Sequence, residues 1–275
     1  MLFGLTSCST KIAYNNLDWI VSWYVDDYVT LTDSQENEFD ETLDAFLLWH
    51  RNTELKNYIA QINSIQVHLN EGIKKSNIEG YVTSIKSFLQ VSLIKAEPDV
   101  INFAYSLSDK QAGSFLAEFE RQNLNKIEKF EEKSTEKRLE DRLEKLEDQI
   151  SSFVGKLNEQ QLMLLKNGNT QLLSSFEERI KFRRNWANSI REAYVVRAQS
   201  LGKSEKNKTL FELALKKSIL QAESLRSEKY VNILEHNQTV RIDTLDKILN
   251  SLNKKQLAHL NSKLNETIKD LEALL

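Results

Sequence analysis

Seven glycines and a single proline, Pro98, are too few to fold a chain of 275 residues around many tight turns. Gly and Pro supply most of the backbone freedom and rigidity that turns require. Strands joined by hairpins would need such residues at every connection. What remains open to this chain is a small number of long helices with short links. Charged residues at 28% suffice to solvate the outer faces of those helices, and hydrophobic residues at 40% suffice for a core, so a disordered chain is excluded. We expect an all-α fold, an elongated and mostly antiparallel bundle of about six to eight helices, several of them long.

The helix starts share one chemistry. Leu31-Thr32-Asp33-Ser34-Gln35 places a capping hydroxyl three residues before a Gln that reaches back to the cap. Leu107-Ser108-Asp109-Lys110-Gln111 repeats it, and Leu157-Asn158-Glu159-Gln160-Gln161 and Leu252-Asn253-Lys254-Lys255-Gln256 follow with Asn as the cap. Their intervals of 76, 50 and 95 residues rule out a solenoid of fixed period. The remaining segments read as helices over 11–29, from Thr32 through about residue 70, over 77–96 with a stop at Pro98, over 109–154, 159–201, 205–250 and 254–274. Leu201-Gly202-Lys203-Ser204 marks a break. Leu139, Leu143, Leu146, Ile150, Phe153 and Leu157 alternate spacings of four and three, a coiled-coil-like seam.

The first of these helices is apolar on most sides, with Tyr14, Trp19, Trp23, Tyr24 and Tyr28 leaving only a narrow polar stripe. Such a helix is buried or sits at an interface. The simplest expectation is the centre of the bundle. The alternative is a membrane-proximal aromatic helix, with Trp19, Trp23, Tyr24 and Tyr28 at headgroup level.

Charge is unevenly spread although the net is only −3. Residues 12–50 hold no Lys or Arg and sum to −9, whereas 179–217 sum to +8. We expect the two segments to face each other in the bundle, the alternative being two patches of opposite sign for partners, and near-neutrality argues against a nucleic-acid partner. Searches for chemistry find little. There is no Gly-rich phosphate loop. His50, His68, His236 and His259 form no HExxH pair and none follows a Glu by three residues, so neither a metal site nor a cofactor is indicated. Two polar-aromatic clusters break the pattern, Trp49-His50-Arg51 and Arg183-Arg184 with Trp186. They read as structural layers tying helices together, or as an interaction site.

Location is written at the N-terminus. Cys8, the sole cysteine, follows Leu5-Thr6-Ser7 in the order of a bacterial lipobox, an aliphatic residue and two small ones before the lipidated thiol. The apolar run before it is shorter than the roughly 7–15 residues of a signal h-region and has no basic flank, so the reading frame is expected to begin further upstream. Residues 1–8 are then a residual signal peptide and lipobox. Residues 9–275 form one helical periplasmic domain, with a sub-boundary suggested near 106–108.

Cys8, Tyr14, Leu17-Asp18-Trp19, Leu31 with Gln35, Trp49-His50-Arg51, Glu54-Leu55 and Tyr58 together resemble an uncharacterised family of helical lipoproteins from Gram-negative bacteria, a domain of unknown function. The resemblance implies a lipid-anchored envelope protein and brings no activity, substrate or cofactor. Ser9 stands where such lipoproteins carry Asp when they stay in the inner membrane, which implies the outer membrane, facing the periplasm. The Leu-Thr-x-x-Gln starts are also similar to those of small periplasmic stress chaperones. The expected function is a non-enzymatic, lipid-anchored scaffold or protein-binding module with an unidentified protein partner. A holdase-like chaperone is the alternative, and an envelope enzyme with a site near Trp49-His50-Arg51 a weaker one.

Overall fold

The computed structural model describes residues 7–198 and 205–275, with side chains described for 11–198 and 208–275. Leu5 and Thr6, and the break at 201–204, lie outside the described residues, as does the side chain of Cys8. Among the described residues the chain is all helical. The helices are α1 (Ser7–Asn15), α2 (Leu17–Asp26), α3 (Asp33–Glu71), α4 (Lys75–Ser106), α5 (Asp109–Glu131) and α6 (Thr135–Val154). There follow α7 (Glu159–Gln171), α8 (Phe176–Ala198), α9 (Glu205–Leu220), a short 3-10 turn at Ala222–Leu225, α10 (Glu228–Asn250) and α11 (Lys254–Glu272). At 1.5 Å per residue α3 alone runs for about 58 Å.

All four expected starts carry a complete capping box, at Thr32, Ser108, Asn158 and Asn253. Their glutamines do more than cap. Gln35 takes the Thr32 N–H on its Oε1 and donates Nε2 to Ser106 O at 3.0 Å and to Gln111 Oε1 at 3.3 Å. Gln111 mirrors it, taking the Ser108 N–H and donating to Thr30 O at 2.9 Å and Gln35 Oε1 at 2.7 Å. The second pair repeats the arrangement. Gln161 donates to Ser251 O and Gln256 Oε1, and Gln256 donates to Lys156 O and Gln161 Oε1. In every case the carbonyl reached belongs to the residue two before the opposite cap. Each pair therefore crosses two helix N-termini in a local two-fold arrangement, α3 with α5 and α7 with α11.

Three apolar cores line the bundle. The largest joins the lower ends of α3 and α4 (Leu69, Ile78) to α6, α7, α10 and α11, and the Leu143–Leu146–Ile150–Phe153 seam packs into it rather than forming a separate coiled coil. A second unites the far end of α4 (Ile101) with α5, α8 and α9 around fully buried Phe211. A third is small, Leu55 of α3 against Leu271 and Leu274 beyond and on α11, with Tyr14 at its edge. The two larger cores sit at opposite ends of α4.

The helices are more numerous and shorter than the periodicity suggests, for local reasons. The 11–29 helix breaks at Asn16, whose side chain bonds Ile12 O and competes with the backbone ladder. The 109–154 segment breaks where Ser134 caps α6 and Arg138 donates to the Phe130 and Lys133 carbonyls that end α5. The 159–201 segment breaks at 172–175, where buried Asn237 of α10 takes the Leu173 N–H at 2.8 Å and returns a bond to its carbonyl at 2.9 Å. Arg142 meanwhile holds Asn169 O and Leu172 O, and burial lowers its guanidinium pKa. The 205–250 segment breaks at the 3-10 turn and restarts at the cap Ser227, whose Oγ also donates to Glu178. In contrast α4 runs straight through Pro98. Pro98 is exposed, and Ile94, whose carbonyl loses its usual intrahelical donor, is exposed too.

Helix α7 meets α10 at Gly168, where an added Cβ would stand 2.2 Å from Thr244 Oγ1. Helix propensity alone favours Ala over Gly by about 1 kcal/mol. The close approach reverses this. Gly168→Ala is expected to destabilise the fold by about 1–3 kcal/mol, and much less in a Thr244→Ala background. Thermal melts of the two single variants and the double check it, and a higher melting temperature for Gly168→Ala alone would contradict the packing described.

Candidate functional site

Trp49, His50 and Arg51 sit midway along α3, and their partners come chiefly from α1. Tyr14 Oη meets His50 Nδ1 at 2.9 Å, and His50 Nε2 meets Tyr58 Oη at 3.0 Å. Arg51 lies over the Tyr14 ring at 5.5 Å and donates to Asn15 Oδ1 at 3.4 Å. Trp49 points the other way, against Phe46 at 5.5 Å with Lys95 over its ring. One turn after His50, Glu54 is 2% exposed. The segment is a latch that ties α1, which packs chiefly along α11, to α3. Both imidazole nitrogens are engaged, which supports the structural reading of the cluster. Burial lowers the His50 pKa, an effect Glu54 partly offsets, and burial raises those of Tyr14 and Tyr58.

The second cluster is elsewhere. Arg183 lies over Phe119 at 4.1 Å and bonds the fully buried Asn123. Arg184 forms an ion pair with Glu120, and Trp186 donates Nε1 to Ser218 O at 3.1 Å. These three residues tie α8 to α5 and α9 in the second core. Trp49-His50-Arg51 and Arg183-Arg184-Trp186 therefore do not form one site.

The expected pairing of acidic 12–50 with basic 179–217 is not found. Among the described residues the basic segment forms its cross-helix ion pairs with α4 and α5, with Arg184 on Glu120, Arg197 on Asp109 and Lys216 on Glu97, while Lys181 and Lys208 pair with Glu178 and Glu212 along their own helices. None of the carboxylates between Asp18 and Asp44 appears in an ion pair among the described residues, and all of them are exposed. The aromatic helix is also not the centre of the bundle. Helix α2 has no buried residue, and Trp19, Trp23 and Tyr24 are 66%, 56% and 57% exposed. It packs chiefly on α3, where Ser22 bonds Asp40. Tyr28 alone of the four aromatics turns inward, donating to Gln122 at 2.6 Å and packing on Phe115 and Phe119.

The model of a family of unknown function, DUF6279, matches residues 27–231, about three quarters of the chain. The chain belongs to this family. No curated protein and no solved structure matches it. The family segment holds the Gln35–Gln111 crossing, the α3 side of the His50 latch and the Arg183 cluster, while α1, α2, α11 and most of α10 lie outside it.

Within that segment is a surface that the sequence reading passed over. Between Lys86, which reaches Gln238 of α10, and Glu97, which meets Lys216 of α9, α4 crosses from one large core to the other. Along this crossing and just beyond, Ile85, Leu89, Val91, Leu93, Ile94 and Val100 are exposed. Single apolar residues are normal on a surface, whereas these six lie within one stretch of a single helix. The signal was present, because Ile85, Leu89 and Leu93 recur every four residues on one face of α4, and an apolar helix face needs cover. No cluster of His, Cys, Asp and Glu fit to hold a metal ion occurs among the described residues.

His50 generates a pH prediction. Its lowered pKa favours the neutral ring in the folded state, so its contribution is complete above the ordinary value near 6.5 and falls as pH drops below it. Melting temperature should decline from pH 7 to pH 5.5, and His50→Gln should flatten that decline while lowering stability at pH 7. Equal slopes for the two proteins would show that His50 remains outside the pH response.

Proposed function

We propose that this chain is a lipid-tethered cell-envelope protein that binds another protein and performs no chemistry of its own. The observation that carries the reading is the aliphatic belt of α4, held rigidly between two cores yet covered by neither. The tether rests on the Leu5-Thr6-Ser7-Cys8 order, and the outer-membrane inner leaflet, facing the periplasm, is the location that Ser9 favours. No helix among the described residues is long and apolar enough to cross a membrane. A lipid on Cys8 would supply the attachment instead, with more than one acyl chain for stable anchoring. The enzyme reading around Trp49-His50-Arg51 loses ground, since His50 and Arg51 are occupied in holding α1.

A holdase-like role is the second reading, and one feature favours it. Two separate apolar surfaces, the α4 belt and the aromatic face of α2, are exposed on one molecule, where an extended unfolded chain can contact both.

A photo-cross-linker placed at Leu89 or Ile94 in cells separates the readings. A dedicated partner predicts one discrete adduct, lost in Leu93→Asp while the melting temperature stays within a few degrees. A holdase predicts many adducts and suppression of aggregation of a chemically unfolded client. Adduct yields no higher than at an exposed position of α6 would contradict both.

A further inference from the structure

We infer that the exposed face of α2 rests on the lipid surface, so that Trp19, Trp23 and Tyr24 form a second, non-covalent attachment beside the tether. The inference rests on the reading of Cys8 as the lipidated residue. Ser7 to Asp26 spans two short helices, so α2 lies within about 30 Å of that cysteine at 1.5 Å per residue. The side chains suit this occupant better than they suit a protein groove. Trp and Tyr carry an apolar ring and one polar edge, the combination favoured among headgroups, whereas the α4 belt is purely aliphatic. Trp19 and Trp23 are one turn apart on one face, and Ile12 on α1 is exposed as well. Asp26, exposed and a turn beyond Trp23, ends the apolar face. That limit makes a helix that lies on the headgroups rather than entering the acyl region.

Charge then specifies the lipid. Residues 12–50 hold no basic side chain to attract an anionic headgroup, and their exposed carboxylates repel one. Zwitterionic phospholipid is therefore the favoured surface. Contact should weaken as anionic lipid is added and recover with salt, the reverse of a polybasic membrane helix.

The test uses the full chain, expressed behind a bacterial lipoprotein signal peptide and purified from membranes, with Cys8 acylation read by mass spectrometry. It is reconstituted in phosphatidylethanolamine–phosphatidylcholine vesicles carrying a quencher at headgroup depth. Tryptophan emission should be quenched, and Trp19→Phe/Trp23→Phe should remove at least half of that quenching, because Trp49 and Trp186 are packed against protein. Quenching should fall when phosphatidylglycerol replaces part of the lipid. Acylated protein whose emission is unquenched, or is equally quenched in the double variant, overturns the inference while leaving the tether intact. Protein without acylation whose Trp19 and Trp23 are still quenched on added vesicles overturns the tether and upholds the contact.

Discussion

The exchange of side-chain amides between Gln161 and Gln256 is the interaction on which the largest core depends. Each glutamine satisfies its own helix cap, the partner's amide and a carbonyl of the partner's incoming loop. Helix N-termini leave backbone N–H groups without partners, and burying such an end is tolerable only when those groups are met. Here two ends are buried against each other, and two side chains complete both. Gln35 and Gln111 do the same at a less buried crossing. The irregular intervals between the four starts cease to be a puzzle, since the repeated unit is a crossing of two starts and the chain length between them is free to vary.

That arrangement also explains where the surface is incomplete. One crossing fixes α3 against α5 near the second core, and the other fixes α7 against α11 at the first. Helices α3 and α4 connect the two, and between them α4 packs on α3 through Phe88 against Tyr58 at 5.0 Å and Lys95 over Trp49. The aliphatic belt is the exposed flank of this strut. At the other margin, the His50 latch positions α1 and leaves α2 lying on α3 with its aromatic face outward. The apolar surfaces are thus consequences of how rigid parts are joined, and each is presented on a fixed helix rather than a loop.

The local signals of this fold were legible and the non-local ones were not. Thr32, Ser108, Asn158 and Asn253 could be read as caps because a capping box is complete within four residues. That their glutamines pair across the chain could not be read, because 76 and 95 residues separate the partners. The break at 172–175 depends on Asn237, and the end of α5 on Arg138, so periodicity alone joined helices that the structure separates. Pro98 misled in the opposite sense, since packing at both ends of α4 overrides one missing donor. The apolar pattern of α2 pointed to the centre of the bundle, but the helix has no buried residue and its aromatics face outward. Trp49-His50-Arg51 stood out by composition, yet nothing local pairs His50 with Tyr14, 36 residues away.

A double-mutant cycle on Gln161 and Gln256, measured by chemical denaturation, tests the central claim most directly. Each single change to Ala removes a cap and strands the partner amide and loop carbonyl, for a loss of about 2–4 kcal/mol. Because both variants break the same exchange, the double should fall short of the sum by at least ~1 kcal/mol. Losses below ~1 kcal/mol that simply add would show that the two helix starts are capped independently and that the crossing does not hold the core together.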